Sequence, residues 1–254
     1  MANIYDYPKY YDIAFSYRDT AEEAAVMQRA IDLYSYIPVK TILEVACGHS
    51  PHLQDMLRLG YSYCGLDLNP AMLAYAQEKA ADLGHNITLF QGDLADFNLP
   101  EPVDFAYIML GSLYVQTTEQ LVSHFASAAR AIKPGGLYFL DWCIDFSPLT
   151  NTRDAWTCRR DEIEVKVRYS TRLLHPAKQH YEETLSALVR DGKQRLHLNH
   201  TNIRRAIYPQ EFMLAATYLN DFEFVGWWND WDLSLPLDEV TRGIVRPITI
   251  LRRR

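Results

Sequence analysis

Short apolar runs alternate with stretches of helical period along the first half of the chain. Ala24, Ala25, Met27, Ala30, Ile31 and Tyr34 recur at helix spacing, which predicts a helix over 21–36 with Thr20 as its N-cap and Pro38 as its stop. Beyond it the pattern predicts a strand at 41–45, a helix at 51–59, a strand at 63–66 and a helix at 70–83 that opens on Pro70. Strands at 87–91 and 103–109, a helix at 118–132 and a strand at 137–142 follow. Strand and helix alternating at this spacing imply an α/β domain, with a parallel sheet covered on both faces and right-handed crossovers.

After Pro148 the period changes to two. Ile163, Val165, Val167 and Tyr169 share one face with charged residues between them, and the alternation runs over 162–207. Pro176-Ala177 and Asp191-Gly192 divide it into about three long segments, and Asp-Gly between alternating runs marks a hairpin. The expected result is an inserted antiparallel β meander. Its role is open between a lid over a substrate and a dimer surface. A helix at 209–219 and strands at 223–227 and 248–251 complete the chain. Three regions emerge: a leader and helix at 1–36, a core at 37–148 and 208–254, and the insertion at 149–207.

Composition narrows the classes. The chain has 254 residues, 48% of them apolar and 22% charged, which suits one globular core with an insertion. Its 25 basic against 32 acidic residues leave a net charge of −7. Such a surface repels phosphate backbones, so no nucleic-acid partner is expected. No apolar run approaches the roughly 20 residues that cross a bilayer. The first thirty residues carry Asp, Glu and Arg throughout, which argues against a signal peptide. Cys47, Cys64, Cys143 and Cys158 form no C-x-x-C pair and read as reduced thiols, which points to the cytoplasm. Seventeen tyrosines suit a pocket for an organic molecule as well as a core.

The chemistry-bearing segment runs Glu44-Val45-Ala46-Cys47-Gly48-His49-Ser50-Pro51-His52-Leu53, between the first strand and its helix. A small-residue turn there lets backbone approach a ligand, and a helix N-terminus offers free N–H donors. Asp67 ends Tyr63-Cys64-Gly65-Leu66-Asp67, about 20 residues after Gly48, where an acid at a strand tip can accept both hydroxyls of a ribose. Gln91-Gly92-Asp93-Leu94 ends the third strand, with Asp93 placed to accept an adenine amino group. A tight packing turn, a helix cap and an ordinary turn are the structural alternatives for these three motifs.

Taken in order, Glu44 to Gly48, Gly65 to Asp67, Gly92-Asp93 and Lys133-Pro134-Gly135-Gly136 resemble the motifs of class I S-adenosylmethionine-dependent methyltransferases, over about residues 40 to 142. The resemblance implies a Rossmann-like seven-stranded methyltransferase sheet whose last strand is antiparallel and lies between its neighbours. Ala46 and Ser50 stand where the family's outer glycines are usual. By position the resemblance has Glu44 orient the turn or meet the methionine ammonium, and places Ala46, Cys47 and Gly48 at the methionine moiety and Asp67 at the ribose, with Leu68 and Met72 near the adenine. Asp93 and Leu94 would read the base, and Met109, Leu110 and Gly111 would line the sulfonium side. The run from Tyr5 to Asp19 is similar to leaders of glycine and amino-sugar N-methyltransferases. That similarity implies that Tyr10, Tyr11, Tyr17 and Arg18 close over the cofactor, with Arg18 on its carboxylate.

Methyl transfer is an in-line displacement at an activated carbon, so the protein supplies alignment and desolvation. A general base is needed only when the acceptor arrives protonated, and Tyr11, Tyr114, Asp141 and His200 are the candidates. No Gly-x-Ser-x-Gly elbow or Gly-x-x-x-x-Gly-Lys loop is present, and His49 and His52 lack partners for a metal, so none is expected. The expected function is transfer of a methyl group to the nitrogen or oxygen of a small molecule, nitrogen being favoured by the leader. A nicotinamide-dependent oxidoreductase and a non-catalytic S-adenosylmethionine-binding module are the alternatives. A homodimer is a further expectation.

Overall fold

The computed structural model describes residues 2–81, 83, 87–147, 150–237 and 243–254. Seven strands form one sheet: β1 Thr41–Val45, β2 Ser62–Asp67, β3 Ile87–Gln91, β4 Val103–Ile108, β5 Ile132–Asp141, β10 Phe222–Trp228 and β11 Ile248–Arg253. Their order across the sheet is β10-β11-β5-β4-β1-β2-β3. Strands β1 to β5 run parallel, while β11 is antiparallel to both of its neighbours, as expected for the final strand.

Alternation along buried strands feeds two cores. Ile42, Phe105, Tyr107, Leu137 and Phe139 point to one face, under α2 Thr20–Tyr34 and α3 Leu53–Arg58. Leu43, Val45, Ala106, Ile108, Tyr138 and Leu140 point to the other, under α5 Thr118–Ala131 and α6 Pro209–Leu219. Both faces are therefore apolar, the signature of a sheet with helices on each side.

The insertion is a separate antiparallel sheet of four strands: β6 Arg153–Arg160, β7 Ile163–His175, β8 His180–Asp191 and β9 Gln194–Arg205. One strand more is present than the alternation predicted. β6 was hidden because it is an exposed edge strand carrying Arg153, Asp154, Arg159 and Arg160, so its period-two signal is faint. The Asp191-Gly192 hairpin is present, with Asp191 paired to Gln194 and Gly192 at φ +56°. The expected boundary at residues 148 and 149 lies outside the described residues.

Several local expectations shift. Asp19, not Thr20, caps α2 by accepting the Glu22 N–H at 3.0 Å, and the Thr20 hydroxyl donates to Asp55 instead. α3 begins only at Leu53, because Ser50 sits in the left-handed region at φ +51° and delays the helix. α4 spans Pro70–Ala80, and residue 82 of the helix expected to 83 lies outside the described residues.

The Lys133-Pro134-Gly135-Gly136 motif is structural. Gly135 has φ +85°, and a Cβ on Gly136 would lie 2.3 Å from the Asp104 carbonyl oxygen on β4. Asp104 itself accepts the N–H groups of Lys40 and Thr41 and pairs with Lys133, which ties the N-terminal ends of β1, β4 and β5 together. Gly136→Ala should therefore lower unfolding free energy by about 1–3 kcal/mol in urea melts, since β4 backbone must move. Gly192→Ala, with open space around it, should cost less.

Candidate active site

The turn after β1 is wound by alternate left-handed residues: Ala46 at φ +54°, Gly48 at +51° and Ser50 at +51°. Only the middle one is glycine. The conformation is held by the Cys47 N–H donating to Leu66 O at 2.9 Å and by the Gly48 N–H donating to Asp67 Oδ2 at 2.7 Å. Asp67 Oδ1 accepts the Asn69 N–H at 2.8 Å, so one carboxylate braces the turn of β1 and the turn of β2. Burial pushes the Asp67 carboxyl up, against the pull of these N–H groups. Gly65 is required beneath it, because a Cβ there would lie 2.9 Å from Cys47 Sγ.

These features fit an adenosine. Each Asp67 oxygen keeps a lone pair for a ribose hydroxyl. The space around Gly48 is open, and Leu68, next to Asp67, is 64% exposed with an apolar face free to meet a base. Met72 is buried in the first turn of α4. Asp93 lies exposed at the tip of β3 with Oδ1 accepting the Ala95 N–H, and Leu94 packs against the core.

Glu44 is fully committed. Its carboxylate accepts the hydroxyls of Tyr63 and Tyr107 and faces His52 Nδ1 at 3.4 Å, all within the buried core below the turn. His52 Nε2 lies 2.7 Å from Glu23, which also takes Arg18 and Arg246. Burial alone would push His52 down, but Glu23 and Glu44 outweigh it and its pKa is raised. Arg18, assigned by resemblance to the cofactor carboxylate, is thus bound to Glu23 and lies 3.3 Å from His52.

Asp141, a candidate base, is buried with no free oxygen to offer. Arg246 grips it on two sides, Trp231 Nε1 donates to it at 2.9 Å, and the Leu110 N–H donates at 2.8 Å. Its role here is to hold the left-handed pair Leu110 and Gly111 at the end of β4, beside buried Met109. A Cβ on Gly111 would lie 3.0 Å from the Trp142 carbonyl oxygen, so glycine is needed.

Above this floor the leader crosses as α1 Pro8–Ala14. Its Asp12 ties three elements: the Tyr75 hydroxyl on α4 at 3.0 Å, His49 in the turn at 3.4 Å and Arg160 on β6 at 2.9 Å. His49 and Arg160, with Lys79 nearby, hold the Asp12 carboxyl well below the usual range despite its burial. Tyr10 turns toward the meander and donates to Asp191 at 3.0 Å, and Trp156 Nε1 donates to Ala14 O at 2.7 Å. The lower halves of β7 to β9, Val165, Val167, Ala187, Val189 and Leu198, pack against α1.

The upper halves of the same strands face a cavity of about 320 Å³, closed by Tyr5, Tyr11 and Tyr17 of the leader and by Leu110 to Ser112 and Tyr114. From the meander come Tyr169, Tyr181, Glu183, His200 and Arg204. Glu183 accepts the hydroxyls of Tyr114 at 2.5 Å and Tyr169 at 2.7 Å and pairs with Arg204 at 3.3 Å. Burial raises the phenols of Tyr11 and Tyr114, so at neutral pH both keep their protons and neither is a base. His200 stacks edge-on against Tyr5 at 4.6 Å, and burial lowers its pKa against the opposing pull of Glu183 and Asp6. It is neutral at pH 7 and free to take a proton.

Sequence reasoning missed Asp12, Glu23, Arg246, Glu183 and Arg204. Only Glu183 left a signal, as a charge on the face of β8 shared by Tyr181, Leu185, Ala187 and Val189. The others pair across long sequence separations.

Two outcomes follow. Asp67→Ala should weaken S-adenosylhomocysteine binding by about tenfold to a hundredfold in calorimetry, through lost bonds to a charged acceptor. Because the His52 pKa is raised on folding, its stabilisation is full below about pH 6.5 and is lost as pH rises through the folded value. Urea melts from pH 6 to 9 should show that decline in the wild type and a shallower one in His52→Gln.

Comparison with known proteins agrees with the fold. Residues 42–136 match a family model described as a methyltransferase domain. A dTDP-3-amino-3,4,6-trideoxy-alpha-D-glucopyranose N,N-dimethyltransferase of Streptomyces venezuelae is 27% identical over 216 residues, covering 84% of this chain and 88% of that protein. The crystal structure of Streptomyces venezuelae DesVI superposes with a TM-score of 0.76 at 22% identity, covering 98% and 97% of the two chains. The structure of CalS10 with S-adenosylmethionine bound, an amino pentose methyltransferase from Micromonospora echinaspora, has a TM-score of 0.70 at 19% identity over 93% and 92%. The nicotinamide alternative gains no support from these matches. Residues 42–136 carry a methyltransferase domain, and the sheet with its antiparallel seventh strand is that of the class I S-adenosylmethionine-dependent methyltransferase fold.

Proposed function

We propose that the protein methylates the nitrogen of a small polar amine of the amino-sugar kind. The observation that carries this reading is the cavity itself, which joins the Leu110–Gly111 turn to a neutral histidine and a braced carboxylate. The names of the relatives, which act on amino sugars, support it. S-adenosylmethionine supplies a methyl group on a positively charged sulfur, and the attacking nitrogen contributes the electron pair for the new bond as the carbon–sulfur pair returns to sulfur. An amine does this only when neutral. His200 takes the ammonium proton, while the Tyr11 hydroxyl orients the acceptor and Tyr114, whose proton goes to Glu183, offers only its lone pairs. Leader and meander together form the lid and exclude water. No helix among the described residues is long and apolar enough to cross a membrane, and free thiols at all four cysteines agree with a cytoplasmic setting.

With S-adenosylmethionine and a panel of free amino sugars, mass spectrometry should detect N-methylated product. His200→Gln should lower kcat by about a hundredfold with cofactor affinity unchanged. The wild-type rate should fall on acidification below about pH 6.5, the ordinary histidine value, because burial lowers the His200 pKa. A His200→Gln enzyme as fast as wild type at every pH would remove His200 from the mechanism.

A further inference from the structure

Glu183 sets where the protons of the cavity wall point. Its side chain is 13% exposed and takes three donors: the Tyr114 hydroxyl at 2.5 Å on Oε1, and the Tyr169 hydroxyl at 2.7 Å and Arg204 Nε at 3.3 Å on Oε2. Burial raises both phenols, so each keeps its single proton and spends it on Glu183. Towards any third group each phenol oxygen then offers lone pairs alone. Tyr5 adjoins Tyr114 from the leader. With the Tyr114 proton committed, only Tyr5 can donate between those two, so the same polarity passes on to the leader.

Glu183 does not act as a free charge. Arg204 pairs with it and lies over the Tyr181 ring at 5.8 Å, so carboxylate and guanidinium largely cancel for a group some ångströms away. What a ligand meets along this wall is a set of oriented oxygens. An amine carries two or three N–H groups to satisfy them, whereas a hydroxyl carries one proton and turns its own lone pairs on the second phenol. A site built to hydrogen-bond one group discriminates against the analogue that leaves its partners unpaired.

We propose that Glu183 is a positioning residue: by taking the protons of Tyr114 and Tyr169 it presents both oxygens to the cavity as acceptors, and so selects an amine over a hydroxyl as the group to be methylated. This rests on the methyl-transfer reading above. The proton that leaves the amine still goes to His200, and the nitrogen lone pair goes to the methyl carbon.

Trp142 and Trp156 line the cavity and report binding by fluorescence without turnover. The probes are glucosamine and glucose, each free and as its UDP conjugate, with S-adenosylhomocysteine present. In the form that binds, the wild type should hold the amine at least about tenfold more tightly than the hydroxyl. Glu183→Gln should cut that ratio to about twofold or less while S-adenosylhomocysteine still binds normally, because an amide donates to one phenol and releases that phenol's proton towards the ligand. Tyr114→Phe should cut the ratio as well, and it carries the test if Glu183→Gln fails to fold. In a Tyr114→Phe/Tyr169→Phe background the ratio should already be low, and Glu183→Gln should lower it no further. A wild-type ratio near one overturns the inference, as does a ratio unchanged by Glu183→Gln or by Tyr114→Phe. A Glu183→Gln effect that persists in full without the two phenols assigns its action to charge and overturns the inference equally. A wild type that fails to bind S-adenosylhomocysteine overturns the methyl-transfer reading, and one that binds it but neither amine overturns the amino-sugar reading; both results are distinct from those above.

Discussion

One carboxylate, Asp67, sets the geometry on which the site is built. It takes the Gly48 N–H with one oxygen and the Asn69 N–H with the other, locking two adjacent strand ends into one rim. The turn it holds is costly, because left-handed backbone at Ala46 and Ser50 costs about 1–2 kcal/mol at each non-glycine residue. Strain of this kind persists where the surroundings over-determine it, which is common at ligand sites. Here the surroundings are the Asp67 bond, the Cys47 bond to Leu66 and the close fit of Cys47 over Gly65.

Below that rim lies a buried charged hub, and it serves position more than stability. Glu23, His52, Glu44, Arg18, Arg246 and Asp141 link α2, the turn, the end of β4 and the segment before β11. Buried ion pairs contribute little net free energy once desolvation is counted, but losing one partner leaves an uncompensated charge. Their effect is to fix Leu110 and Gly111 relative to the turn after β1. Asp12 does the same one layer higher, fastening the leader to the sheet domain and to the meander together. Leader and inserted sheet therefore share one apolar core and form one wall of the cavity.

The sheet was readable in the sequence because its signals are local: apolar runs, prolines at helix starts, and turns at fixed intervals. So were the positions of Gly48, Asp67 and Gly111 at or just past strand ends, which follow from the local pattern alone. The acid–base assignments were not readable, since they depend on partners distant in sequence. Asp141 looked like a candidate base until Arg246, Trp231 and the Leu110 N–H were seen to occupy it. Tyr10 belongs with the meander hairpin for a similar reason, its hydroxyl being spent on Asp191. β6 was missed because charges on an edge strand conceal its alternation.

The central claim is that the rim of β1 and β2 grips an adenosine with its sulfur turned toward the meander cavity. A crystal structure with S-adenosylhomocysteine tests it most directly. The account predicts both ribose hydroxyls within hydrogen-bonding distance of the Asp67 carboxylate and the sulfur facing the space between Gly111, Tyr11 and His200. A nucleoside seated elsewhere, or a sulfur walled off from that space by the Leu110–Gly111 turn, would contradict it.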